Sequence, residues 1–407
     1  MAKRRWAHRI LKGLGILAIL GVVGIGVLVG ALWLEHRSEV TLPAPTGSFP
    51  VGRTLYDWVD ETTVDALAPV RGTKRELLVW VWYPAEVPQP GVLVDDYVPA
   101  RMREPAGAPI FSLLTRDVSK VHGHSMRDPR VSPREPRYPV VIMRAGASAQ
   151  VVSYSTLAED LASHGYVVVG FDAPYRTRVV VFPDGRVVKR TPENNPELYS
   201  GEQLVQCAIK LLAAWSADIG YVLDGFEQLN AADASGKFRG RLDMARVGVF
   251  GHSLGGATAA QFCSQDARCK AGIDVDGSLH GSVIQSGIHK PFMFLLSGAG
   301  DFSSGVEVRQ IVADIQFVYQ RLPEDGRLRV SIRGANHFTF SDDGAILKSG
   351  ILRGVLHLFG VLGIDGRRQL AVTAYCVDSF FDAYLKGTPV GPPGLASPLY
   401  PEIQVID

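Results

Sequence analysis

Residues 246–262 read RVGVFGHSLGGATAAQF, and this stretch decides the fold class. An apolar run precedes a serine within Gly-x-Ser-x-Gly, and small residues at helical spacing follow it. Strand, turn and helix in this order are typical of a nucleophile elbow, a strained turn that presents the serine hydroxyl at a sheet edge. Gly251 and Gly255 carry no Cβ, so strand and helix can approach closely. We therefore interpret Ser253 as a nucleophile that attacks a carbonyl.

Short apolar runs recur along the rest of the chain and alternate with helical patterns. We predict strands in ELLVWVWYP, YPVVIMRAG, YVVVGFDAP, RVGVF, AGIDVD, PFMFLLSG and RLRVSIRG. Helices are predicted between them, including STLAEDLASHG and GEQLVQCAIKLLAAWSADIGYVLDGFEQL. Near-continuous apolar strands indicate a sheet covered on both faces, as parallel sheets are. The predicted fold class is α/β with a mostly parallel, doubly wound sheet.

The body is predicted to be one domain over residues 53–407 with two insertions. Residues 91–137 are mixed in composition, and residues 175–241 contain a probable hairpin, RVVVFPDGRVV, turned at Pro183-Asp184-Gly185. Loops this long inside a compact domain are often functional. We interpret both insertions as lids or caps over the C-terminal edge of the sheet, where open α/β proteins bind ligands.

The N-terminus predicts a membrane anchor. Residues 1–12 are basic, and residues 13–34, GLGILAILGVVGIGVLVGALWL, contain no charge. A spanning helix needs roughly 20 such residues. Positive charge in front of it keeps the N-terminus in the cytoplasm and exports the body. The alternative is a cleaved signal peptide and a secreted protein, with Val29 and Ala31 at the cleavage site. Residues 35–52 then form a linker.

Composition excludes some partners. The chain is 46% hydrophobic and 20% charged with a net charge of +1, so neither disorder nor binding to nucleic acid is expected. Cys263 and Cys269 flank a short turn and could form a disulfide outside the cytoplasm, whereas Cys207 and Cys376 are predicted to be buried thiols. No Cys/His spacing matches a zinc site, so neither a metal site nor a cofactor is predicted.

A serine nucleophile needs a histidine base, and in elbow-containing folds the order along the chain is serine, acid, histidine. His337 follows the predicted strand RLRVSIRG in the loop GANHFTFSD, where its ring can reach Ser253. His280 and His289 come too early in this order. His357 lies in the apolar helical stretch GVLHLFGVL and is predicted to pack there. His337 is the candidate base.

Two aspartates are candidates for the acid that orients the base. Asp276 ends the predicted strand AGIDVD, directly after the nucleophile strand, and Asp301 follows PFMFLLSGAG, one strand later. This architecture more often places the acid on the later strand. Asp274 lies deeper on the same side as Asp276 and is predicted to be structural. The residues themselves leave Asp276 and Asp301 open.

Backbone amides should stabilise the oxyanion of the tetrahedral intermediate. One donor is expected from Leu254, directly after the nucleophile. The second is expected from the loop RAGASAQ, which follows the predicted strand YPVVIM. Gly146 permits a sharp backbone turn in this loop, which makes the amide of Ala147 the candidate donor.

With these residues placed, the sequence resembles the α/β-hydrolases, and within them the platelet-activating-factor acetylhydrolase type and its bacterial carboxylic-ester-hydrolase relatives. The likeness spans residues 50–387 and is carried by VWYPAE, YSTLAEDLASHGYVVVGFDAP, VGVFGHSLGGATAAQ, AGIDVDG and GANHFTFSD. It implies Ser253 and His337 as nucleophile and base, and it favours Asp276 over Asp301 as the acid. The chain departs from this family at the oxyanion loop, where RAG replaces the common His-Gly.

The resemblance implies metal-independent hydrolysis of short acyl esters, including acetyl groups on phospholipid-like substrates such as 1-alkyl-2-acetylglycerophosphocholine. A polyester or xenobiotic carboxylesterase of the dienelactone-hydrolase or cutinase kind would use the same triad. A non-catalytic binding protein with this fold is disfavoured, because both the serine and the histidine are present.

Overall fold

A computed structural model describes residues 2–87, 91–103, 116–147, 149–298, 306–346, 354, 358, 363–388 and 397–406. Its main strands are β1 (Val40–Thr41), β2 (Val51–Val64), β3 (Lys74–Pro84), β4 (Val94–Asp96), β5 (Val121–Arg127), β6 (Tyr138–Arg144), β7 (Val167–Asp172), β10 (Leu242–His252), β11 (Cys269–Val275), β12 (Phe292–Ser297), β13 (Arg327–Ile332) and β14 (Ile403–Val405). A separate hairpin pairs β8 (Val179–Val181) with β9 (Val187–Lys189).

One 12-stranded sheet holds the body together, in the order β1-β5-β2-β3-β7-β6-β10-β11-β12-β13-β14, with β4 paired to β5. Strands β7, β6, β10, β11, β12 and β13 run parallel to their neighbours in this series. Strand β3 is antiparallel to β2 and β7, and β14 is antiparallel to β13. Each strand predicted from the sequence is present, and the mostly parallel sheet is confirmed.

Helices cover both faces of this sheet. The described helices are α1 (Ala2–His36), α2 (Ser155–Ser163), α3 (Gly201–Ala232), α4 (Leu254–Gln265), α5 (Val283–Ser286), α6 (Val306–Tyr319), α7 (Asp343–Ile346) and α8 (Gly366–Lys386). Buried side chains of α2 and α8 form one core with the sheet, and those of α3, α4 and α6 form the other. Strand β3 alternates between them, with Trp80 and Trp82 in the first core and Val79 and Val81 in the second.

The two insertions differ from the lids that the sequence suggested. In the first, β4 and β5 extend the main sheet, and Arg127 of β5 pairs with Arg53 of β2. In the second, α3 buries Ile219, Val222 and Phe226 in a core and is therefore part of the body. The reason is its amphipathic pattern, which requires a sheet to pack against. The predicted hairpin is present as β8 and β9.

The cysteines and the N-terminal helix match the sequence-based description. Cys263 and Cys269 form a disulfide with a Cα–Cα distance of 5.1 Å, and Cys207 and Cys376 are buried thiols. Within α1, residues Leu11–His36 have a mean hydropathy of 2.6, and none of the most apolar stretch is buried in the protein. This helix is therefore long and apolar enough to span a membrane, and it does not contribute to the core of the body.

Candidate active site

The nucleophile candidate lies on a strained turn between β10 and α4. Ser253 has φ 57° and ψ −128°, a conformation that costs a residue with a Cβ about 1–3 kcal/mol. Glycines make the turn possible, since a Cβ on Gly255 would lie 2.4 Å from the carbonyl oxygen of Arg144. The turn is thus the tight strand-to-helix corner that the sequence predicts.

Backbone hydrogen bonds align this turn with the ends of the next two strands. The amide of Ser253 donates to the carbonyl of Val275 at 2.8 Å, and the amide of Asp276 donates to the carbonyl of Leu295 at 2.8 Å. Each bond reaches one strand further along the sheet. The carboxyl ends of β10, β11 and β12 therefore meet at one edge, where open α/β sheets place their ligands.

At this edge, the carboxylate of Asp276 holds the imidazole of His337. Asp276 Oδ2 lies 2.7 Å from His337 Nδ1. The other oxygen, Oδ1, accepts the amide of Ser297 at 2.7 Å and its hydroxyl at 2.8 Å. With Nδ1–H donating to the carboxylate, His337 Nε2 keeps its lone pair and can accept a proton. Asp301, the other candidate acid, lies outside the described residues.

The charge of Asp276 is maintained in spite of its surroundings. Burial raises the pKa of this carboxyl, but the hydrogen bond to His337, the charge of that ring and the two Ser297 donors outweigh burial and lower the pKa below its ordinary value. An ionised acid at this position can stabilise an imidazolium that forms on His337.

The loop that carries His337 is held by a distant part of the chain. Asp342, five residues later in sequence, accepts the amides of Ser155 and Thr156 at the start of α2, at 2.9 and 3.1 Å. It also accepts the hydroxyl of Tyr97, in the first insertion, at 3.1 Å. Asp342 thus ties the histidine loop to the N-terminus of α2, and burial raises the pKa of its carboxyl to about 8.

The predicted oxyanion loop lies beside the nucleophile. A Cβ on Gly146 would lie 3.3 Å from the Cβ of Ser253. The Gly146 amide donates to the hydroxyl of Tyr154 at 3.4 Å, and that hydroxyl lies 2.7 Å from Nδ1 of His252. Burial, together with the nearby His337, lowers the pKa of His252 to about 3. Nδ1 of the neutral His252 accepts a hydrogen bond from the Tyr154 hydroxyl. This one hydroxyl therefore connects the nucleophile turn to the oxyanion loop.

A hydrogen bond to its carbonyl oxygen holds Ala147, the candidate oxyanion donor, in place. Arg190, just after β9, donates from Nη1 to the Ala147 carbonyl at 2.7 Å and from Nη2 to Glu197 at 2.9 Å. Within the described part of the chain, the amides of Ala147 and Leu254 donate to no other group. Both N–H groups are therefore available to an oxyanion next to Ser253.

Arg144, the unusual first residue of the RAG loop, is held in place by buried contacts. Its Nη1 donates to the carbonyl of Phe171 at 2.7 Å, and its guanidinium stacks 4.2 Å from the ring centroid of Trp215. The side chain is buried in these contacts. Arg144 thus adds a buried packing contact at the end of β6.

The remaining candidates of the sequence lie apart from the Asp276–His337 contact. The Asp274 carboxylate accepts the amide of Gly277 at 2.9 Å and is fully buried, which fits the structural role expected for it. His280 is half-buried and His289 is exposed, and within the described residues the hydrogen bond to Asp276 comes from His337 instead. His357 lies outside the described residues.

Several residues of this site were missed from the sequence. His252 adjoins the serine in the quoted motif, and that adjacency was the available signal. Tyr154, Arg190, Ser297 and Asp342 come from separate segments and reach the site only through tertiary contacts. No local pattern marks such residues, because their spacing in the sequence carries no period.

Comparisons with known proteins agree on one family. A family model described as platelet-activating factor acetylhydrolase, isoform II, matches residues 35–176 and 202–382. A probable 1-alkyl-2-acetylglycerophosphocholine esterase of Arthroderma benhamiae is 24% identical, over 96% of this chain and 100% of that protein. A platelet-activating factor acetylhydrolase of Bos taurus is 28% identical over 225 residues, which are 51% of this chain and 48% of the bovine protein.

A solved structure extends the likeness to the fold. A ferulic acid esterase from Streptomyces cinnamoneus superposes with a TM-score of 0.72 and 26% sequence identity, over 91% of this chain and 100% of the esterase. The whole length of that enzyme is thus matched by the α/β body described above.

The Asp276–His337 contact predicts which aspartate matters for turnover. Asp276→Asn replaces the acceptor of the His337 proton by an amide, and we expect kcat to fall by about four orders of magnitude. Asp301→Asn is the control and should keep most activity. Steady-state hydrolysis of p-nitrophenyl acetate measures both. If Asp301→Asn is the inactive variant, the acid lies one strand further along.

The contacts of Tyr154 predict that its substitution lowers kcat independently of the acid. Tyr154→Phe leaves the Gly146 amide and His252 Nδ1 without their shared partner, and an unpaired buried polar group costs about 1–3 kcal/mol. We expect kcat to fall by roughly tenfold or more with KM little changed. Tyr384→Phe is the matched control, because its hydroxyl donates to the carbonyl of Asp325 instead. Equal kcat values for the two variants would contradict a role of Tyr154 in the oxyanion loop.

Proposed function

We propose, because this chain belongs to the platelet-activating factor acetylhydrolase, isoform II, family, that Ser253, His337 and Asp276 are its catalytic triad. The chain is a carboxylic ester hydrolase with an α/β-hydrolase fold and acts on acetyl or phospholipid-type esters. The observation that carries the proposal is the 2.7 Å contact between Asp276 and His337 at the sheet edge that holds the Ser253 turn. No cofactor enters this proposal, since hydroxyl, imidazole and carboxylate supply nucleophile, base and orientation.

The proposed reaction proceeds through an acyl-enzyme. Ser253 Oγ attacks the ester carbonyl while His337 Nε2 takes its proton, and the Asp276 carboxylate stabilises the resulting imidazolium. The C–O bond to the alcohol then breaks, and His337 gives its proton to the leaving oxygen. Water next attacks the acyl-enzyme, with His337 again as base, which releases the carboxylic acid and restores Ser253.

Two backbone amides would stabilise the negative oxygen that forms in each half of this reaction. We assign them to Leu254, at the N-terminus of α4, and to Ala147. The helix N-terminus adds a favourable partial charge. Arg190 and Tyr154 keep the Ala147 loop in place from both sides, so that the donors are fixed before the substrate arrives.

Two substrate classes are supported by different relatives. The fungal and bovine proteins are named for acetyl esters of glycerophosphocholine or for platelet-activating factor, which favours a short acyl group on a phospholipid-like alcohol. The solved relative is named for ferulic acid, which favours an aromatic acyl group. The first is our main proposal, because the family model, the fungal protein and the bovine protein are all named for it.

We assign α1 as an uncleaved membrane anchor with the body outside the cytoplasm. Its C-terminal end is bonded to the body. The amide of Asp117 donates to the carbonyl of His36 at 3.0 Å, and Arg116 donates to the carbonyls of Glu35 and Ser38 at 3.3 Å. The apolar stretch of α1 runs over Leu11–His36, which is longer than the roughly 7–15 apolar residues of a signal peptide and favours an uncleaved anchor. The anchor would keep the catalytic edge close to lipid-like substrates.

Substrate choice is tested with the purified full-length protein in detergent. We expect hydrolysis of p-nitrophenyl acetate to exceed that of p-nitrophenyl decanoate and of methyl ferulate, because the fungal and bovine relatives are named for acetyl esters. Ser253→Ala should reduce the acetate rate by about six orders of magnitude, to background. Ser264→Ala is the control, because this half-buried hydroxyl near the end of α4 bonds Ser286 and the Gly287 carbonyl.

Three outcomes separate the alternatives. Preference for methyl ferulate would favour the aromatic class, and preference for decanoate a lipase-like or polyester-type enzyme. Equal background rates for wild type and Ser253→Ala would exclude catalysis at this site. Labelling of the wild type, but not of the variant, by a fluorophosphonate gives an independent readout of the nucleophile.

Retention of α1 is tested by cell fractionation. The mature protein should stay in the membrane pellet after an alkaline carbonate wash, since a spanning helix resists extraction, and its mass should correspond to the complete chain. A variant lacking residues 2–34 serves as the control and should be released. A mature protein that begins after Ala31 would instead identify a cleaved signal peptide and contradict the anchor.

A further inference from the structure

A second cluster of ligand-type side chains lies on the α2 and α8 side of the sheet. Asp160 and His164 are one helical turn apart at the end of α2, so both point to the same side. Asp378 of α8 faces them. One carboxylate oxygen of each aspartate and one ring nitrogen of His164 lie within 4.8 Å of one another.

The hydrogen bonds around this cluster leave one buried oxygen unpaired. Thr46 donates from its amide to Asp160 Oδ1 at 2.6 Å, and its hydroxyl lies 2.9 Å from His164 Nε2. Asp378 Oδ1, in contrast, is buried and has no partner among the described residues, and Asp378 as a whole is only 6% exposed. A buried carboxylate oxygen without a donor needs a proton or a cation.

Among the described residues, no lysine or arginine donates to Asp378 Oδ1. Lys386 is the nearby basic residue on α8, but its Nζ donates to the carbonyl of His164 at 2.7 Å and to Asp382 at 2.9 Å. Within the part of the chain that the structure describes, the Lys386 ammonium group thus donates no hydrogen bond to either of the two carboxylates.

The spacing of the cluster suits a metal ion. His164 Nε2 and Asp378 Oδ2 are 3.7 Å apart, which is too long for a hydrogen bond. Ligand atoms about 2.1 Å from a tetrahedral metal lie roughly 3.4 Å from each other. We propose that Asp160, His164 and Asp378 bind a divalent cation of the zinc or manganese class, whose preferred ligands include imidazole and carboxylate. The His164 side chain is 30% exposed, which gives the ion an entry path.

The bound ion would fix the segment that connects α1 to the body. Thr46 contacts Asp160 and His164 directly, and the Gly47 amide donates to Ser163 Oγ at 2.9 Å. A Cβ on Gly47 would lie 2.2 Å from the Ser163 carbonyl oxygen, so this segment runs flush against α2. A cation at its side cross-links α2 with α8 and is expected to stabilise the fold.

The test uses the full-length protein in detergent after removal of metals with EDTA. We expect calorimetric titration with zinc or manganese chloride to give one saturable site and to raise Tm by several degrees. Asp378→Asn and His164→Gln should abolish both responses, whereas the rate with p-nitrophenyl acetate below Tm should stay unchanged. Asp314→Asn changes a half-buried aspartate that accepts from Gln310, and this matched control should bind like the wild type.

A spectroscopic readout covers the case in which Asp378→Asn does not fold. Cobalt substituted into the wild type should show visible absorption bands, and the half-exposed His164→Gln variant should lose them. Absence of binding by the wild type, or unchanged binding by folded Asp378→Asn and His164→Gln, would overturn the proposal. A folded Asp378→Asn protein that is more stable than a metal-insensitive wild type would show that the two aspartates share a proton instead.

Discussion

The structure depends on one constraint, that the carboxyl ends of three neighbouring parallel strands meet at the same edge. The amide of Ser253 bonds the end of the next strand, and the amide of Asp276 bonds the end of the strand after it. Parallel pairing fixes this alignment along the whole core of the sheet. Residues that are far apart in the chain therefore reach one place, and the strain at Ser253 is balanced by many strand contacts.

The surroundings of the site keep Asp276 negatively charged and His252 neutral. Asp276 is stabilised as an anion by donors from Ser297 and His337, although it is mostly buried. His252 is kept neutral by burial next to His337, with ring centroids 4.6 Å apart. A charged His252 would repel the imidazolium that the proposed reaction places on His337. The neutral ring instead accepts the hydrogen bond of Tyr154 and leaves the positive charge to one histidine.

The sequence predicted the strands well and the covering elements less well. Continuous apolar runs such as those of β6 and β11 leave few other structures open, so their positions were clear. Strand β2 was not predicted from the sequence, because its residues alternate between polar and apolar, as in a half-exposed antiparallel strand. The α3 helix was assigned to a cap, since only the folded sheet reveals which surface its apolar side packs on. The extra strands β4 and β5 were hidden for the same reason.

The sequence by itself determined the elbow and the apolar N-terminal helix, because each depends on residues that are close together in the chain. The partners of Asp276, the contacts of Tyr154 and Arg190 with the oxyanion loop, and the cluster of Asp160, His164 and Asp378 were decided by the tertiary structure alone. Their side chains meet across strands and helices whose packing no local pattern encodes. Side-chain chemistry limits what each residue can do, and the fold decides which groups come within bonding distance.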